Sequence, residues 1–194
     1  MDPYRDALKR MDALLSRARR SGLREPMAAV LATADAAGRP SARTVLIKAV
    51  DDRGVTFYTN VKSRKASQLG DNPHAALCAY WDPLREQLIV EGKVELVSPE
   101  EADAYWATRP RVSQIGAWAS RQSKPLPSRA ALIGQVAVET AKYVGRPVPR
   151  PPHWSGYRLV PERIEFWSGR PFRLNERRLY VRRGKRWSVG LVYP

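Results

Sequence analysis

The feature that most constrains this chain is a series of short strand-like runs, each bounded by turn residues. Runs rich in β-branched, aromatic and small apolar residues cover 27–34, 42–50, 55–60, 75–81 and 87–97. Turn signals such as Gly38-Arg39-Pro40 separate them. A parallel sheet needs a helix after nearly every strand, and this pattern does not supply one. The runs therefore predict a mainly β, antiparallel fold that closes into a barrel.

Helices are predicted around this set of strands. Asp2 is a typical N-cap for a first helix, and Ser98 with Glu101 forms a capping box for another, which Pro110 ends. The predicted helices cover 2–21, 63–69, 99–109 and 128–143. An extended proline-rich connector is predicted over 146–152, and strands over 157–160, 164–167, 179–182 and 187–192.

The length of 194 residues predicts one domain, because chains of roughly 100 to 200 residues usually close a single core. Its expected parts are an N-terminal helix (1–21), barrel strands (27–97), a helical segment (98–143) and C-terminal strands (154–193).

Composition argues against several classes of protein. No window approaches the roughly 18 uninterrupted apolar residues of a membrane helix, and no secretory signal is visible, so a cytoplasmic protein without membrane contact is expected. Cys78 is the only cysteine, and His74 and His153 are the only histidines. These residues are too few for a zinc cluster and match no nucleophile motif, so no metal is expected. Neither a G-x-G-x-x-G sequence nor a P-loop occurs.

The charge points to an anionic partner. Lys and Arg number 34 against 19 Asp and Glu, which gives a net charge of +15. This balance fits nucleic acid, anionic lipid or a small phosphorylated ligand. Because the cations alternate with strand-forming residues, they belong to folded segments and not to a tail.

Arg43 and Lys48 form the first candidate segment. Both lie in a strongly apolar run, and alternation along a strand puts them on opposite faces. The pattern fits an anion site or an edge strand whose cations extend to solvent.

A second segment joins a strand to a helix start. Tyr58 and Thr59 end the strand, and Arg64 and Lys65 open the helix. Free amides, a hydroxyl and two cations at a helix N-terminus favour a phosphate site. The alternative is an ordinary solvated helix start.

A third segment contains Tyr105, Arg109 and Ser113. The first two lie four residues apart on one helical face, and Pro110 could turn the chain so that Ser113 joins them. A phenol, a guanidinium and a hydroxyl suit a phosphate monoester. The alternative is a core tyrosine beside a surface arginine.

The fourth segment follows Trp167. If Arg173, Asn175 and Arg177 lay in one strand, they would share a face and place two guanidinium groups beside the indole. Such a face suits a flat, electron-rich ligand. Stacked bases of a nucleic acid would be the competing use.

Taken together, these segments resemble the pyridoxamine (pyridoxine) 5'-phosphate oxidase family. The resemblance covers nearly the whole chain after the first helix, in the correct order. Its motifs are Arg43 to Lys48, Phe57 to Lys65, Gln87, the ten residues from Arg109 to Trp118, Gln122-Ser123, and Ile164 to Trp167. The string from Arg109 to Trp118 is highly specific.

The resemblance implies an antiparallel, Greek-key FMN-binding split β-barrel that works as a homodimer, with two FMN sites at the interface. The implied FMN contacts are Arg43, Lys48, Tyr58, Thr59, Arg64, Lys65, Gln87, Gln122, Ser123, Trp167 and Arg177. Contacts to the substrate phosphate would come from Lys48, Tyr105, Arg109 and Ser113, while Arg173 and Asn175 would face the substrate ring as the catalytic pair.

The implied reaction oxidises pyridoxine or pyridoxamine 5'-phosphate to pyridoxal 5'-phosphate. A hydride passes from C4' to flavin N5, and O2 is reduced to H2O2. One departure stands out, since the family has histidine where this chain has Asn175. The alternatives are a split-barrel FMN enzyme with a phenazine-type substrate and a non-catalytic nucleic-acid-binding barrel.

Overall fold

A computed structural model describes residues 2–194. Within them the strands are β1 (Ala28–Ala34), β2 (Pro40–Leu46), β3 (Ala49–Asp51), β4 (Gly54–Asn60), β5 (His74–Trp81), β6 (Glu86–Leu96), β7 (Trp154–Ser168), β8 (Glu176–Arg183) and β9 (Arg186–Val192). The α-helices are α1 (Pro3–Arg19), α2 (Arg64–Asp71), α3 (Pro99–Ala107), α4 (Arg111–Ala119) and α5 (Arg129–Lys142).

The predicted antiparallel β fold is confirmed. The strands form one sheet in the order β2-β1-β5-β6-β7-β4-β3, with β8 beside β7 and β9 beside β8. Every pairing is antiparallel. The predicted N-caps Asp2 and Ser98 each accept a hydrogen bond from a backbone amide of their helix, and Ser128 does the same at the start of α5.

The predicted strand over 42–50 is wrong in one respect, because the chain breaks it at Ile47 and Lys48. The Ile47 amide donates to the Met27 carbonyl at 2.9 Å, whereas the Lys48 amide donates to the Thr56 carbonyl at 2.9 Å. The chain thus leaves β1 and joins β4 between these two residues. The break places Lys48 where two parts of the sheet meet.

The two strands predicted over 157–160 and 164–167 are one long strand, β7. Its first half pairs with β4, its second half pairs with β8, and β6 runs along its other edge. Pro161 lies at the change of partner, opposite a register shift at Gly92. A proline is tolerated here because the bulge removes the need for its missing N–H. A Cβ on Gly92 would stand 2.1 Å from the Val160 carbonyl oxygen, so this close approach requires glycine.

Two apolar clusters organise the interior. The larger one fills the barrel with residues such as Leu31, Phe57 and Ile164, and α1 covers it. The smaller one joins α3, α4 and α5 to the start of β7 through Trp106, Ile115, Tyr143, Val148 and Trp154. No helix of the described residues is both long and apolar enough to cross a membrane.

The helical segment is more divided than predicted. The helix expected over 99–109 ends at Ala107, and a second helix, α4, begins at Arg111 directly after Pro110. The proline has no N–H to continue α3 and serves as the N-cap residue of α4. The turn brings Ser113 back toward the C-terminal end of α3.

Candidate active site

A cavity of about 730 Å³ opens between β2, β4 and the helices α3 and α4. Eight of the residues singled out in the sequence line it: Lys48, Tyr58, Thr59, Lys65, Tyr105, Arg109, Ser113 and Gln122. Segments separated by more than sixty residues therefore converge here, including both predicted phosphate sites. No three His, Cys, Asp or Glu side chains among residues 2–194 form a group that could hold a metal ion.

Stacked aromatic rings form one wall of the cavity. The rings of Tyr58 and Tyr105 lie 4.0 Å apart between centroids, and Tyr58 and Trp154 lie 5.3 Å apart, each pair nearly parallel. Gly156 allows this packing, because a Cβ there would stand 2.7 Å from the Tyr58 ring. Sequence reasoning missed Trp154, whose only signal was its position after the proline-rich connector.

Arg109 lies at this wall and has no anionic partner among residues 2–194. Its guanidinium carbon lies 5.1 Å from the Trp106 ring centroid and 4.7 Å from that of Trp154. Its Nη1 atom is buried and has no hydrogen-bond partner, and burial lowers its pKa. A half-buried guanidinium group with one buried, unsatisfied nitrogen fits an anion bound from solution. Lys48 points toward the same region, with its Nζ 5.9 Å from the Tyr105 centroid.

Lys65 is a second buried cation among neutral groups. Its Nζ donates to Thr59 Oγ1 at 2.8 Å, Gln122 Oε1 at 3.0 Å and Ser63 Oγ at 3.2 Å. Burial, with a smaller contribution from Arg43, lowers its pKa to about 8. These contacts connect the end of β4 to the loop after α4.

Arg43 and Arg64 extend this positive region. Arg43 donates to the Leu31 carbonyl at 3.0 Å, to Thr33 Oγ1 at 2.6 Å and to Gln68 Oε1 at 3.2 Å. Burial and then the charge of Arg64 lower its pKa.

The loop after α4 reaches the same place. The Arg64 amide, at the start of α2, donates to Ser123 Oγ at 3.2 Å. Within residues 2–194, no carboxylate forms a salt bridge with Arg43, Arg64 or Lys65. Two cations at the start of α2, with Arg43 of β2 beside them, fit the phosphate of a nucleotide-like cofactor.

The remaining predicted residues lie elsewhere in the protomer. Gln87 of β6 and Trp167 of β7 are directly paired in register, and both line a depression of about 270 Å³ against α1. Trp167 also borders a second depression of about 390 Å³ with Arg173 and Asn175. Neither depression shares a lining residue with the large cavity. One protomer therefore holds two separate groups of candidate residues.

The strand expected to carry Arg173, Asn175 and Arg177 is wrong. Arg173 ends a short 3-10 turn, Asn175 precedes β8, and Arg177 alone of the three belongs to that strand. Asn175 Oδ1 accepts from the Arg170 amide at 3.1 Å and so closes the turn. Arg177 instead forms a two-point ion pair with Glu165, at 2.7 and 3.0 Å, which lowers the pKa of that carboxyl.

Three residues with a strained backbone lie at the depression beside Trp167. Arg85, Phe172 and Arg173 all line it and have left-handed φ angles of 50°, 57° and 61°. The Phe172 residue is 93% exposed, so burial of its ring does not explain the conformation. Strained backbone of this kind concentrates at binding sites. Sequence reasoning missed Arg85, which its left-handed φ angle and its place in the lining of this depression identify.

Comparison with known proteins gives a consistent result. The family model described as pyridoxamine 5'-phosphate oxidase matches residues 15–145. The model described as the pyridoxine 5'-phosphate oxidase C-terminal dimerisation region matches residues 154–194.

Two curated relatives carry the name pyridoxine/pyridoxamine 5'-phosphate oxidase. The protein of Myxococcus xanthus (strain DK1622) is 51% identical over 189 residues, which cover 97% of this chain and 92% of the relative. The protein of Rubrobacter xylanophilus is 54% identical over 189 residues, with coverages of 97% and 87%.

Two solved structures have the same fold along the whole chain. PhzG from Burkholderia lata 383, in complex with tetrahydrophenazine-1-carboxylic acid, superposes with a TM-score of 0.92 at 34% identity, covering 100% of this chain and 97% of that one. A pyridoxamine 5'-phosphate oxidase-related, FMN-binding protein from Nostoc punctiforme has the same fold, with a TM-score of 0.79 at 23% identity and coverages of 100% and 99%.

Proposed function

Because the chain belongs to the pyridoxamine 5'-phosphate oxidase family, we propose that it oxidises pyridoxine 5'-phosphate or pyridoxamine 5'-phosphate to pyridoxal 5'-phosphate. The chain is an oxidoreductase of this family. The observation that carries the substrate assignment is the half-buried Arg109 side chain in the cavity, whose buried Nη1 has no hydrogen-bond partner and which has no acidic partner among the described residues.

The substrate phosphate would be bound by four side chains of the large cavity. Arg109 and Lys48 offer positive charge, and Tyr105 and Ser113 offer hydroxyl groups. The aromatic wall behind them excludes water from one side, which strengthens the attraction between these cations and a phosphate. Binding at this end would leave the far end of the substrate free to react.

FMN is the proposed cofactor. Its phosphate would be held by Arg43, Arg64 and Lys65, with Thr59, Gln122 and Ser123 as neighbouring hydrogen-bonding groups. When bound, FMN would supply the redox chemistry by accepting a hydride from C4' of the substrate, with O2 as the final acceptor and H2O2 as product.

The second group of residues would complete the site from a partner subunit. Residues 154–194 match a dimerisation region, and this segment contains Trp167, Arg173, Asn175 and Arg177. We therefore propose a homodimer of single-domain, split-barrel protomers with FMN at the interface. Trp167, Arg177 and Gln87 of one protomer would contact the flavin of the other site, while Arg173 and Asn175 would orient the substrate ring.

A phenazine-type oxidase is the second candidate, because the structure of PhzG superposes along the whole chain. The unpaired cations of the large cavity favour a phosphorylated substrate over a phenazine carboxylate. The two candidates differ in which compound reduces the bound flavin.

The test is the visible spectrum of the purified protein under anaerobic conditions. We expect a flavin spectrum that bleaches with pyridoxine 5'-phosphate and not with the same concentration of unphosphorylated pyridoxine. In Arg109→Ala, the flavin spectrum should remain while bleaching needs far more substrate. A flavin that never bleaches would favour the phenazine-type candidate. A protein that stays colourless with added FMN would contradict the assignment of FMN as cofactor and favour a nucleic-acid-binding barrel.

A further inference from the structure

We propose that Glu101 and Arg158 form a positioning pair, which sets where Tyr105 and Arg109 stand in the cavity. The pair lies behind the aromatic wall and does not line the cavity itself. The inference rests on the proposed function, in which Tyr105 and Arg109 bind the substrate phosphate.

The pair is a tightly connected ion pair at the edge of the core. Arg158 Nη2 lies 2.7 Å from Glu101 Oε1, and the Arg158 side chain is only 5% exposed. Arg53 Nη2 contacts the same oxygen at 2.7 Å. The hydrogen bond from Arg158, aided by that from Arg53, lowers the pKa of Glu101 to about 2. Removing one member of such a pair leaves the other charge without its partner.

The geometry connects this pair to the phosphate-binding residues. Glu101, Tyr105 and Arg109 follow one another at four-residue intervals, so they lie along one side of the α3 segment. The turn continues past the helix end, since the Arg109 amide donates to the Trp106 carbonyl at 3.1 Å. Fixing Glu101 therefore fixes the rotation of the whole segment.

The other end of the pair belongs to the sheet that carries the wall. Arg158 is in β7 opposite Thr56 of β4, four residues after Trp154 and two after Gly156. The Tyr58 hydroxyl, also from β4, contacts the Glu101 carbonyl at 3.5 Å, and the Tyr58 ring stacks on Tyr105. The pair thus links the helix that carries Tyr105 to the strands that carry its stacking partners.

A second ion pair on α3 provides a matched control. Asp103 Oδ1 lies 2.6 Å from Arg150 Nε, but Asp103 is 61% exposed and stands two positions along the helix from Glu101. Two positions place its side chain on a different face. Asp103→Asn therefore removes a salt bridge from the same helix and changes neither member of the Glu101–Arg158 pair, while Arg150 is left to donate to the Trp154 carbonyl at 2.9 Å.

The experiment compares Glu101→Gln, Arg158→Met, their double variant and Asp103→Asn in the FMN-loaded enzyme. For Glu101→Gln and Arg158→Met we expect KM for pyridoxine 5'-phosphate to rise about tenfold, with kcat changed by less than about threefold. The double variant should be no worse than the more impaired single variant, because either single change already breaks the Glu101–Arg158 interaction. Arg158→Lys should restore part of the loss, and Asp103→Asn should resemble wild type.

Binding of inorganic phosphate, followed by tryptophan fluorescence, gives a readout that needs no turnover. Phosphate binding should weaken in Glu101→Gln by about the same factor by which KM rises. Equal loss in kcat and thermal stability with unchanged KM would overturn the positioning role. If Glu101→Gln does not fold, Arg158→Lys is compared with wild type: a KM raised by less than about tenfold supports the positioning role, and an unchanged KM overturns it. A wild-type protein that neither binds phosphate nor oxidises the substrate would instead contradict the proposed function.

Discussion

Lys65 is buried among neutral oxygens, and its ammonium group has no salt bridge among the described residues. Burial destabilises the charged form, so its pKa falls from 10.5 to about 8. A bound phosphate would stabilise the charged form and raise that pKa again. At pH values above about 8, binding of the phosphate is then coupled to the uptake of a proton by Lys65.

The affinity for FMN is therefore expected to decrease as the pH rises from about 8 to about 9.5, by up to about tenfold per pH unit. The measurement is quenching of flavin fluorescence on titration with apoprotein at each pH. In Lys65→Arg the side chain stays charged, so the affinity should be nearly constant over this range. A wild-type affinity that is independent of pH would show that Lys65 does not meet the phosphate.

Asn175 is the second residue whose substitution gives a testable prediction. Its amide closes the turn that contains the strained residues Phe172 and Arg173. An amide cannot carry a proton at neutral pH as a histidine can. Hydride transfer does not need an acid at this position, so the turn geometry matters more than the proton.

We expect turnover in Asn175→His to differ from wild type by less than about tenfold. Asn175→Asp, which keeps the acceptor oxygen, serves as the control for the turn. Steady-state rates with pyridoxine 5'-phosphate measure both. A gain of several hundredfold in Asn175→His would mean that the missing imidazole limits catalysis.

At the level of elements, α1 is the helix that closes the barrel. Its buried residues Ala7, Met11, Leu14, Leu15 and Ala18 pack on the larger core. The Tyr180 hydroxyl of β8 donates to Asp6 at 2.5 Å, and Tyr4 stacks on Trp187 of β9. These contacts fasten the C-terminal hairpin to the N-terminal helix.

Met11→Ala should therefore lower the free energy of unfolding by about 2 to 5 kcal/mol, because Met11 is fully buried and its removal leaves a cavity. Lys9→Ala, on the exposed side of the same helix, should change it by less than about 0.5 kcal/mol. Urea unfolding measures both. Equal effects of the two substitutions would mean that α1 stabilises the fold through its helical backbone and not through the packing of its buried side chains.

At the level of the whole molecule, each protomer holds two halves of the proposed site. The large cavity contains Arg109, and the separate depression contains Arg173. In the proposed homodimer, the site combines the cavity of one subunit with the depression of the other. Activity is then expected to be a property of the dimer.

Complementation between inactive variants tests this arrangement. Arg109→Ala and Arg173→Ala should each be strongly impaired alone, because each damages every site. Random mixing of the two chains should restore about a quarter of wild-type activity, since half of the dimers then have one intact site. Activity no higher than that of either variant would place both residues in a site within one chain.

Local patterns predicted the elements because their causes lie close together in the sequence. The N-caps, the turns and most of the strands follow from neighbouring residues, and so does the presence of cations at the start of α2. The motifs also named eight residues that the cavity brings together. Their roles as ligands of substrate and cofactor stay predictions.

Tertiary structure decided what depends on contacts between distant residues. It broke the run over 42–50 at Lys48, made β7 one strand despite Pro161, and placed Trp154 in the aromatic wall. It also removed Arg173 and Asn175 from the strand assigned to them. Pairing partners and side-chain convergence are set by packing across the sheet, and the local pattern of a segment does not contain that information.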